Sequence, residues 1–200
     1  MADPRDVHSL FQTPVVVFDL PDMAGLNREL AANLLDEEDR VPSWKRANVG
    51  GWHSTPDLSQ RAPFRPLMQA IVHHVGSVVE GLAGDQPLPA FRFAVTSWAM
   101  VMRDGNYVMP HDHGDSHWSV AYYIDAGDAV EAPSGHLAFQ DPRRGGRMLA
   151  ELDIFGSTFA IAPVTSSLVV FPGWLQHYVH AYRGDRPRIC VSANIVMQAE

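Results

Sequence analysis

The sequence predicts a mainly β fold, an antiparallel sandwich or jelly roll, with two helices ahead of the strands. From about residue 91 onward, short β-rich runs alternate with turn signals, and no helical periodicity intervenes. Before that point, two segments carry apolar residues at helical spacing. The chain has 200 residues, and its 46% hydrophobic content is enough for a sizeable core. Strands that follow one another without helices are typical of an antiparallel all-β architecture.

The first ninety residues contain one predicted strand and both predicted helices. The β-branched run in QTPVVVFDLPD is bounded by prolines and predicts a strand. A helix is expected at about residues 23–38, where Leu26, Leu30 and Leu34 are spaced four apart. A second helix is expected at about residues 65–82, ending at Gly84, with an apolar face made of Leu67, Ile71, Val75, Val78 and Leu82.

The segment between the helices, RANVGGWHSTPDLS, predicts an ordered loop, and by composition its residues 50–53 are a candidate lid. After the second helix, eight β-rich runs follow in order: FRFAVTSWAMVM, YVMPHDH, HWSVAYYI, GHLAFQDP, STFAIAP, SSLVVFP, HYVHAY and RICVSANIV. We expect residues 1–200 to form one domain. Residues 91–200 would supply its core, and residues 1–90 would pack on the sheet.

The net charge and the cysteine content exclude some classes of protein. A net charge of −8 argues against a nucleic-acid groove or binding to an anionic membrane surface. No run approaches the roughly 20 apolar residues of a membrane-spanning helix, and the first residues lack a signal-peptide pattern. The single cysteine, Cys190, excludes an internal disulfide framework and is typical of a reducing cytoplasm. Open sheet edges are compatible with a homodimer.

Three histidines indicate a metal site. His111 and His113 are two residues apart at the mouth of an apolar run, and a strand places such residues on the same face. His177 follows another apolar run and would complete a three-nitrogen face. The alternative ligand set is His113, Asp115 and His177, a two-histidine, one-carboxylate triad, although Gly114 permits a turn that would take Asp115 away. The other interpretation is a polar hairpin tip with incidental histidines.

The expected metal is Fe(II), because imidazole dominates and no thiolate is present, with Zn, Ni or Cu as alternatives. No catalytic side chain is expected beyond the metal site. Aromatic side chains near these motifs are candidates for lining a substrate pocket, although each is equally compatible with core packing: Trp98, Tyr107, Trp118, Tyr123 and Trp174.

Several motifs in the C-terminal half resemble the 2-oxoglutarate/Fe(II) oxygenase family of short bacterial and phage proteins. The family pattern runs His-x-His, Ser, Ser-Gly-Val-Tyr-Tyr, then Gly-x-Leu-x-Phe-x-Asp-Pro-Arg, Phe-Pro-x-Trp-Leu-x-His and Arg-Ile-Ser-x-Ser-x-Asn. The matching positions here are His111, His113, Ser116, Ser119, Tyr122, Tyr123, Gly135, Leu137, Phe139, Asp141, Pro142, Arg143, Phe171, Pro172, Trp174, Leu175, His177, Arg188, Ile189, Ser192 and Asn194. Cys190 departs from the pattern, because a serine often stands there.

The resemblance implies a double-stranded β-helix, a cupin-like jelly roll, with Fe(II) and 2-oxoglutarate as cofactor and cosubstrate. It favours His111, His113 and His177 as ligands over Asp115. It also implies that Arg188 binds the distal carboxylate of 2-oxoglutarate, with Arg186 as the weaker candidate for this role. The implied reaction is hydroxylation of a small-molecule or peptide substrate with release of succinate and CO2. Two alternatives remain: a cupin-like three-histidine dioxygenase that does not use 2-oxoglutarate, and a non-catalytic metal-binding module.

Overall fold

Two antiparallel sheets, two α-helices and three short 3-10 helices form the described part of the chain. The computed structural model describes residues 11–129, 131–141 and 158–199. The α-helices are α1 (Ala24–Arg40) and α2 (Arg65–Ala83). The strands are β1 (Val16–Asp19), β2 (Asn48–Val49), β3 (Trp52–His53), β4 (Phe91–Met102), β5 (Tyr107–His111), β6 (Trp118–Asp125), β7 (Leu137–Gln140), β8 (Thr158–Ile161), β9 (Ser167–Pro172), β10 (His177–Val179) and β11 (Arg188–Ala199).

The strand order is that of a double-stranded β-helix, which confirms the predicted fold class. The larger sheet has the order β1-β9-β6-β11-β4-β3, and the smaller has the order β2-β5-β10-β7-β8. From β4 onward the chain crosses between the two sheets at every connection except β7 to β8. All eight β-rich runs expected from the sequence correspond to β4 through β11.

The large sheet separates two apolar layers. On its outer side, α1 and α2 pack against the alternate positions Ala99, Val101, Ile189 and Val191. On its inner side, Met100, Met102 and Cys190 face the small sheet. Because strand side chains alternate between faces, the residues two apart on β11 point to the interior between the sheets: Arg188, Cys190, Ser192 and Asn194.

Both predicted helices form, with one misplaced residue. Leu34, Leu67 and Ile71 are fully buried, and α2 ends at Gly84, whose positive φ of 55° suits a residue without a Cβ. Leu82 was expected on the buried face but is 56% exposed, because it lies in the last turn, where the core no longer covers the helix. No helix within the described ranges has the length and apolarity needed to span a membrane.

The candidate lid between the helices is in fact part of the sheets. Trp52 and His53 form β3, which pairs with β4 through Val101 and Met100, and both of its side chains are buried. Gly51, with a φ of 62°, lies so close to β4 that a Cβ would be 3.0 Å from the Val101 carbonyl oxygen. The expectation of a lid was therefore wrong for Trp52 and His53, because main-chain pairing fixes them to the edge of the large sheet.

Candidate metal centre

His111 and His177 lie side by side because their strands pair. His111 ends β5, His177 begins β10, and the two residues are directly opposite each other in the antiparallel ladder. Opposite residues in such a pair project from the same face, so both imidazoles point to the interior. The pairing shifts by one residue between His177 and Val179, which places an irregularity next to Pro110 on β5. Proline within a sheet is tolerated at such irregularities, since it has no N–H to donate.

His113 joins this pair from the loop that follows β5. Its backbone N–H donates to the carbonyl of Gly173 at 2.7 Å, which ties the loop to the connection between β9 and β10. The ring centroid of His113 is 4.9 Å from that of His111 and 5.2 Å from that of His177. One nitrogen from each imidazole lies within 4.8 Å of the other two. Three nitrogen donors at this separation can hold one metal ion.

Backbone carbonyls orient two of the three imidazoles. Nδ1 of His111 is 2.8 Å from the Met109 carbonyl oxygen, and Nδ1 of His177 is 2.8 Å from the Leu175 carbonyl oxygen. A carbonyl only accepts, so Nδ1 carries the proton in both rings and Nε2 keeps its lone pair. This arrangement is common among metal-binding histidines, whose second nitrogen is held by a hydrogen bond.

The three imidazoles are held in their neutral form. Burial, followed by repulsion from neighbouring His111, lowers the pKa of His113 to about 4 and that of His177 to about 3. Burial also lowers the pKa of His111, while the nearby carboxylate of Asp112 raises it in part. Because only a neutral imidazole binds a metal, these shifts leave the nitrogens available near neutral pH.

Asp115 lies outside the cluster. The close group of ligand atoms in the described part of the chain contains the three histidines and not this carboxylate, which is exposed. A turn explains its position: the N–H of Ser116 donates to the His113 carbonyl at 2.8 Å, and the N–H of Gly114 donates to Oδ1 of Asp112. The chain therefore reverses after His113, and Asp115 is carried to the open side.

Arg188 carries a positive charge in the interior between the sheets. The residue is 1% exposed, and its Nε has no hydrogen-bond partner. Its Nη1 donates only to sulfur atoms, at 3.3 Å to Met102 and 3.7 Å to Cys190, which are weak acceptors. Among the described residues no carboxylate lies within ion-pair distance of it. A buried cation without a counter-ion is costly unless a ligand supplies the negative charge.

Tyr123 lies next to Arg188 and also lacks a partner. The guanidinium carbon lies 4.9 Å from the centroid of the Tyr123 ring, and the buried Tyr123 hydroxyl makes no hydrogen bond. Burial raises the pKa of Tyr123 to about 12, so the hydroxyl stays a donor. Arg186, the weaker candidate from the sequence, forms an exposed ion pair with Asp125 instead. Two orphaned donors on neighbouring strands thus face the same small space.

Two cavities meet at the imidazoles. The inner one, of about 50 Å³, extends toward Arg188 and Tyr123. The outer one, of about 460 Å³, opens toward solvent. Both are lined by His111, His113 and Trp98, and the inner one is also lined by His177, so an occupant of either cavity would adjoin at least two of the three imidazoles.

Of the five aromatic residues predicted to line a substrate pocket, two line a cavity next to the histidines and three do not. Trp98 lines both cavities, and its ring lies 5.6 Å from that of His113, while Tyr123 lines the inner cavity. Trp118 instead packs against the helix-side core, because it lies on the opposite face of β6 from Tyr123. Tyr107 and Trp174 are 40% and 47% exposed and line neither cavity. These last three residues are not retained as pocket residues.

Sequence reasoning missed several residues of the site. It gave Tyr123 only a general aromatic role, although the alternation of Ser119, Ala121 and Tyr123 along one strand could have placed it on the interior face. It placed His53 only in the candidate lid, yet His53 stacks on Trp98 with centroids 5.7 Å apart and lines the outer cavity. Trp44 and Arg46 line that cavity too, and no local signal in their loop indicates it.

Comparisons with known proteins give one family match and one shared fold. Residues 96–194 match the model of the family described as "Putative 2OG-Fe(II) oxygenase". No curated protein is significantly similar to the chain in sequence. Several solved structures share the fold.

Three of these structures illustrate the similarity. A Pseudomonas putida prolyl-4-hydroxylase is 18% identical, with a TM-score of 0.63 over 92% of this chain and 93% of that one. HygX from Streptomyces hygroscopicus, with nickel and 2-oxoglutarate bound, is 10% identical, with a TM-score of 0.63 over 92% and 83%. A Trichoplax adhaerens prolyl hydroxylase, in complex with a peptide of hypoxia inducible factor, is 13% identical, with a TM-score of 0.60 over 91% and 83%.

Proposed function

We propose a set of site residues from the premise that the chain belongs to the 2OG-Fe(II) oxygenase family and is an Fe(II)- and 2-oxoglutarate-dependent oxygenase. In this proposal His111, His113 and His177 hold the iron, and Arg188 with Tyr123 binds the distal carboxylate of 2-oxoglutarate. The substrate occupies the outer cavity. The observation that carries the proposal is the buried, unpaired Arg188 next to the three imidazoles.

The histidine cluster fits a divalent ion of intermediate softness. It offers three neutral nitrogens and no thiolate, and Nε2 of His111 and of His177 is free to bind. Three protein ligands leave coordination positions for other molecules, as catalytic metal sites require. The cluster lacks a carboxylate, so the bound ion would keep more of its positive charge than in a two-histidine, one-carboxylate site.

The inner cavity fits a carboxylate. A guanidinium presents parallel N–H groups that match the two oxygens of a carboxylate, and the Tyr123 hydroxyl adds a third donor. Binding would give the orphaned Nε of Arg188 and the hydroxyl of Tyr123 the partners they lack. Cys190, where the family often has a serine, contributes only a weak donor, so Arg188 and Tyr123 would provide most of the anchoring.

When bound, Fe(II) and 2-oxoglutarate together activate O2 and oxidise a C–H bond, with succinate and CO2 as co-products. The residues of this chain bind and orient. The Met109 and Leu175 carbonyls fix the rings of His111 and His177, and Arg188 sets the direction of the cosubstrate. Trp98 stacks on His53, lies beside His113 and forms a wall of both cavities, so it would position a substrate next to the metal site. We further propose hydroxylation as the reaction and the cytoplasm as the compartment, which suits a buried free cysteine.

Anaerobic titration tests this function. Purified protein is loaded with Fe(II), and 2-oxoglutarate is added without O2. We expect a weak visible charge-transfer band, followed on exposure to air by O2 uptake that requires 2-oxoglutarate and yields succinate. O2 uptake with an organic substrate but without 2-oxoglutarate would contradict the proposal and favour the three-histidine dioxygenase. Bound metal with neither band nor turnover would favour a non-catalytic binding module.

A further inference from the structure

The outer cavity carries two opposite charges on different parts of its wall. Arg46 and Asp112 both line it, together with the aromatic rings of Trp44 and Trp98. The two charged side chains do not form an ion pair with each other. Its volume of about 460 Å³ is in the range of pockets that enclose one small organic molecule.

Arg46 is held over the cavity but is not neutralised there. Its guanidinium carbon lies 4.9 Å from the ring centroid of Trp44, and its backbone N–H donates to Oδ1 of Asn48 at 2.8 Å. No acidic side chain of the described residues pairs with it. Burial lowers the pKa of His53, and the positive charge of Arg46 lowers it further, so this charge is felt inside the cavity.

Asp112 lies at the end of the cavity that the histidines line. In the chain it stands between His111 and His113, and all three residues line the cavity. Its carboxylate accepts the N–H of Gly114 at 3.1 Å, which holds it on the loop that carries His113. The cavity is therefore positive near His53 and negative beside the imidazoles.

We propose that the outer cavity binds a small organic anion, whose carboxylate or phosphate pairs with Arg46 and whose apolar body lies along Trp98 with its reacting carbon toward the histidines. The proposal rests on the function proposed above, because it names the substrate class of the same site. Asp112 repels the anionic group from the metal end, so the two charges together select one orientation. Arg46 is a specificity-determining residue in this assignment.

The test compares acids with neutral analogues on the holoenzyme. Protein loaded anaerobically with Fe(II) and saturated with 2-oxoglutarate is mixed with small aryl and alkyl carboxylates and their primary amides, and with phosphate monoesters and their parent alcohols. Paramagnetic broadening of the probe NMR signals reports binding close to the iron. With wild-type protein, the NMR signals of the carboxylates or of the phosphate monoesters should broaden far more than those of their neutral analogues. The class of probe with the stronger broadening identifies the anionic group that the cavity binds.

Variants assign the preference to one residue. In Arg46→Gln the preference for anions should fall about tenfold, the order expected for one charge-assisted contact, and Arg46→Lys should restore part of it. Lys45→Gln, which removes the adjacent cation outside the cavity lining, should behave as wild type. Equal broadening by anions and neutral partners, broadening by neither, a preference for amines, or an unchanged preference in Arg46→Gln would each overturn the proposal.

The same samples separate this proposal from the function on which it rests. The 2-oxoglutarate charge-transfer band depends on the inner cavity and should be retained in Arg46→Gln. Loss of anion preference with the band intact therefore supports the role of Arg46, while an absent band in wild-type protein contradicts the proposed function itself.

Discussion

At the scale of single residues, Arg188 is the most informative side chain, since it holds an uncompensated charge in the interior. We expect Arg188→Met to have two effects of opposite sign. Metal-free protein should gain about 1 kcal/mol or more in free energy of unfolding, because a buried cation is replaced by an apolar side chain. Affinity for 2-oxoglutarate should fall by at least about tenfold, because a charge-assisted contact is lost. Urea unfolding and the anaerobic charge-transfer titration measure the two effects.

Arg186→Met is the matched control for this change. It removes an arginine two positions away that pairs with Asp125 at the surface. Exposed pairs contribute at most about 1 kcal/mol, so stability should change little and 2-oxoglutarate binding should not change. If Arg188→Met bound 2-oxoglutarate as tightly as Arg186→Met did, the assigned role of Arg188 would be wrong.

The choice between the three-histidine ligand set and the set that contains Asp115 is also decided by single substitutions. His113→Asp creates a carboxylate in the cluster, so we expect Fe(II) to be retained on the order of tenfold more tightly during dialysis against a chelator. Asp115→Asn should leave retention unchanged, because Asp115 lies outside the cluster. Iron content after dialysis is the measurement. Loss of iron in Asp115→Asn alone would favour the two-histidine, one-carboxylate set.

The sequence predicted some site residues better than others, for a physical reason. The relation of His111 to His113 is local, and the position of Arg188 followed from the resemblance. Which face a given aromatic occupies depends on strand register, so Trp118 and Tyr123 could not be separated by proximity to a motif alone. Arg46 contacts the site only because its loop folds against β5, where the N–H of Met109 donates to the Ala47 carbonyl.

At the scale of elements, the connection between β9 and β10 fixes the geometry of the cluster. Gly173 accepts from the N–H of His113 and donates to the carbonyl of His117, and a Cβ on it would lie 2.8 Å from the His113 carbonyl oxygen. Gly173→Ala should therefore push the loop that carries His113 away from β10. We expect metal affinity to fall markedly while the far-UV spectrum stays unchanged. Metal titration with circular dichroism tests this.

Gly25→Ala is the control for the substitution at Gly173. Gly25 lies in α1, and a Cβ there would meet no atom within 4 Å. Alanine in an open helical position should leave metal affinity intact and raise stability slightly, by roughly 0.5–1 kcal/mol. Equal metal affinity in the two variants would contradict the role given to the Gly173 connection.

At the scale of the whole molecule, strands were predictable but their partners were not. Each run from β4 to β11 has local turn signals and apolar residues, which the sequence displays directly. Pairing of β5 with β10 joins residues more than sixty positions apart, and nothing local specifies it. That pairing brings His177 opposite His111, so the architecture, rather than either segment, creates the metal centre.

The same architecture buries histidines that must stay neutral, and this should make the metal-free protein sensitive to acid. The folded pKa of His177 is about 3 and that of His113 about 4, against an ordinary value of 6.5. Below pH 6.5 these two histidines become protonated in the unfolded chain but stay neutral in the folded one. The free energy of unfolding therefore decreases as the pH falls, until the pH drops below the folded pKa of each histidine. The loss should reach up to about 1.4 kcal/mol per pH unit for each group.

Urea unfolding in the presence of a chelator, between about pH 7 and about pH 5, measures this acid sensitivity. His177→Gln removes one buried imidazole and should lose less stability over the same interval than the wild-type protein. Because the comparison is between two pH values in each protein, any constant effect of the substitution on packing cancels. An equal loss in both proteins would show that His177 is not held neutral by burial, and that the acid response of the fold originates elsewhere.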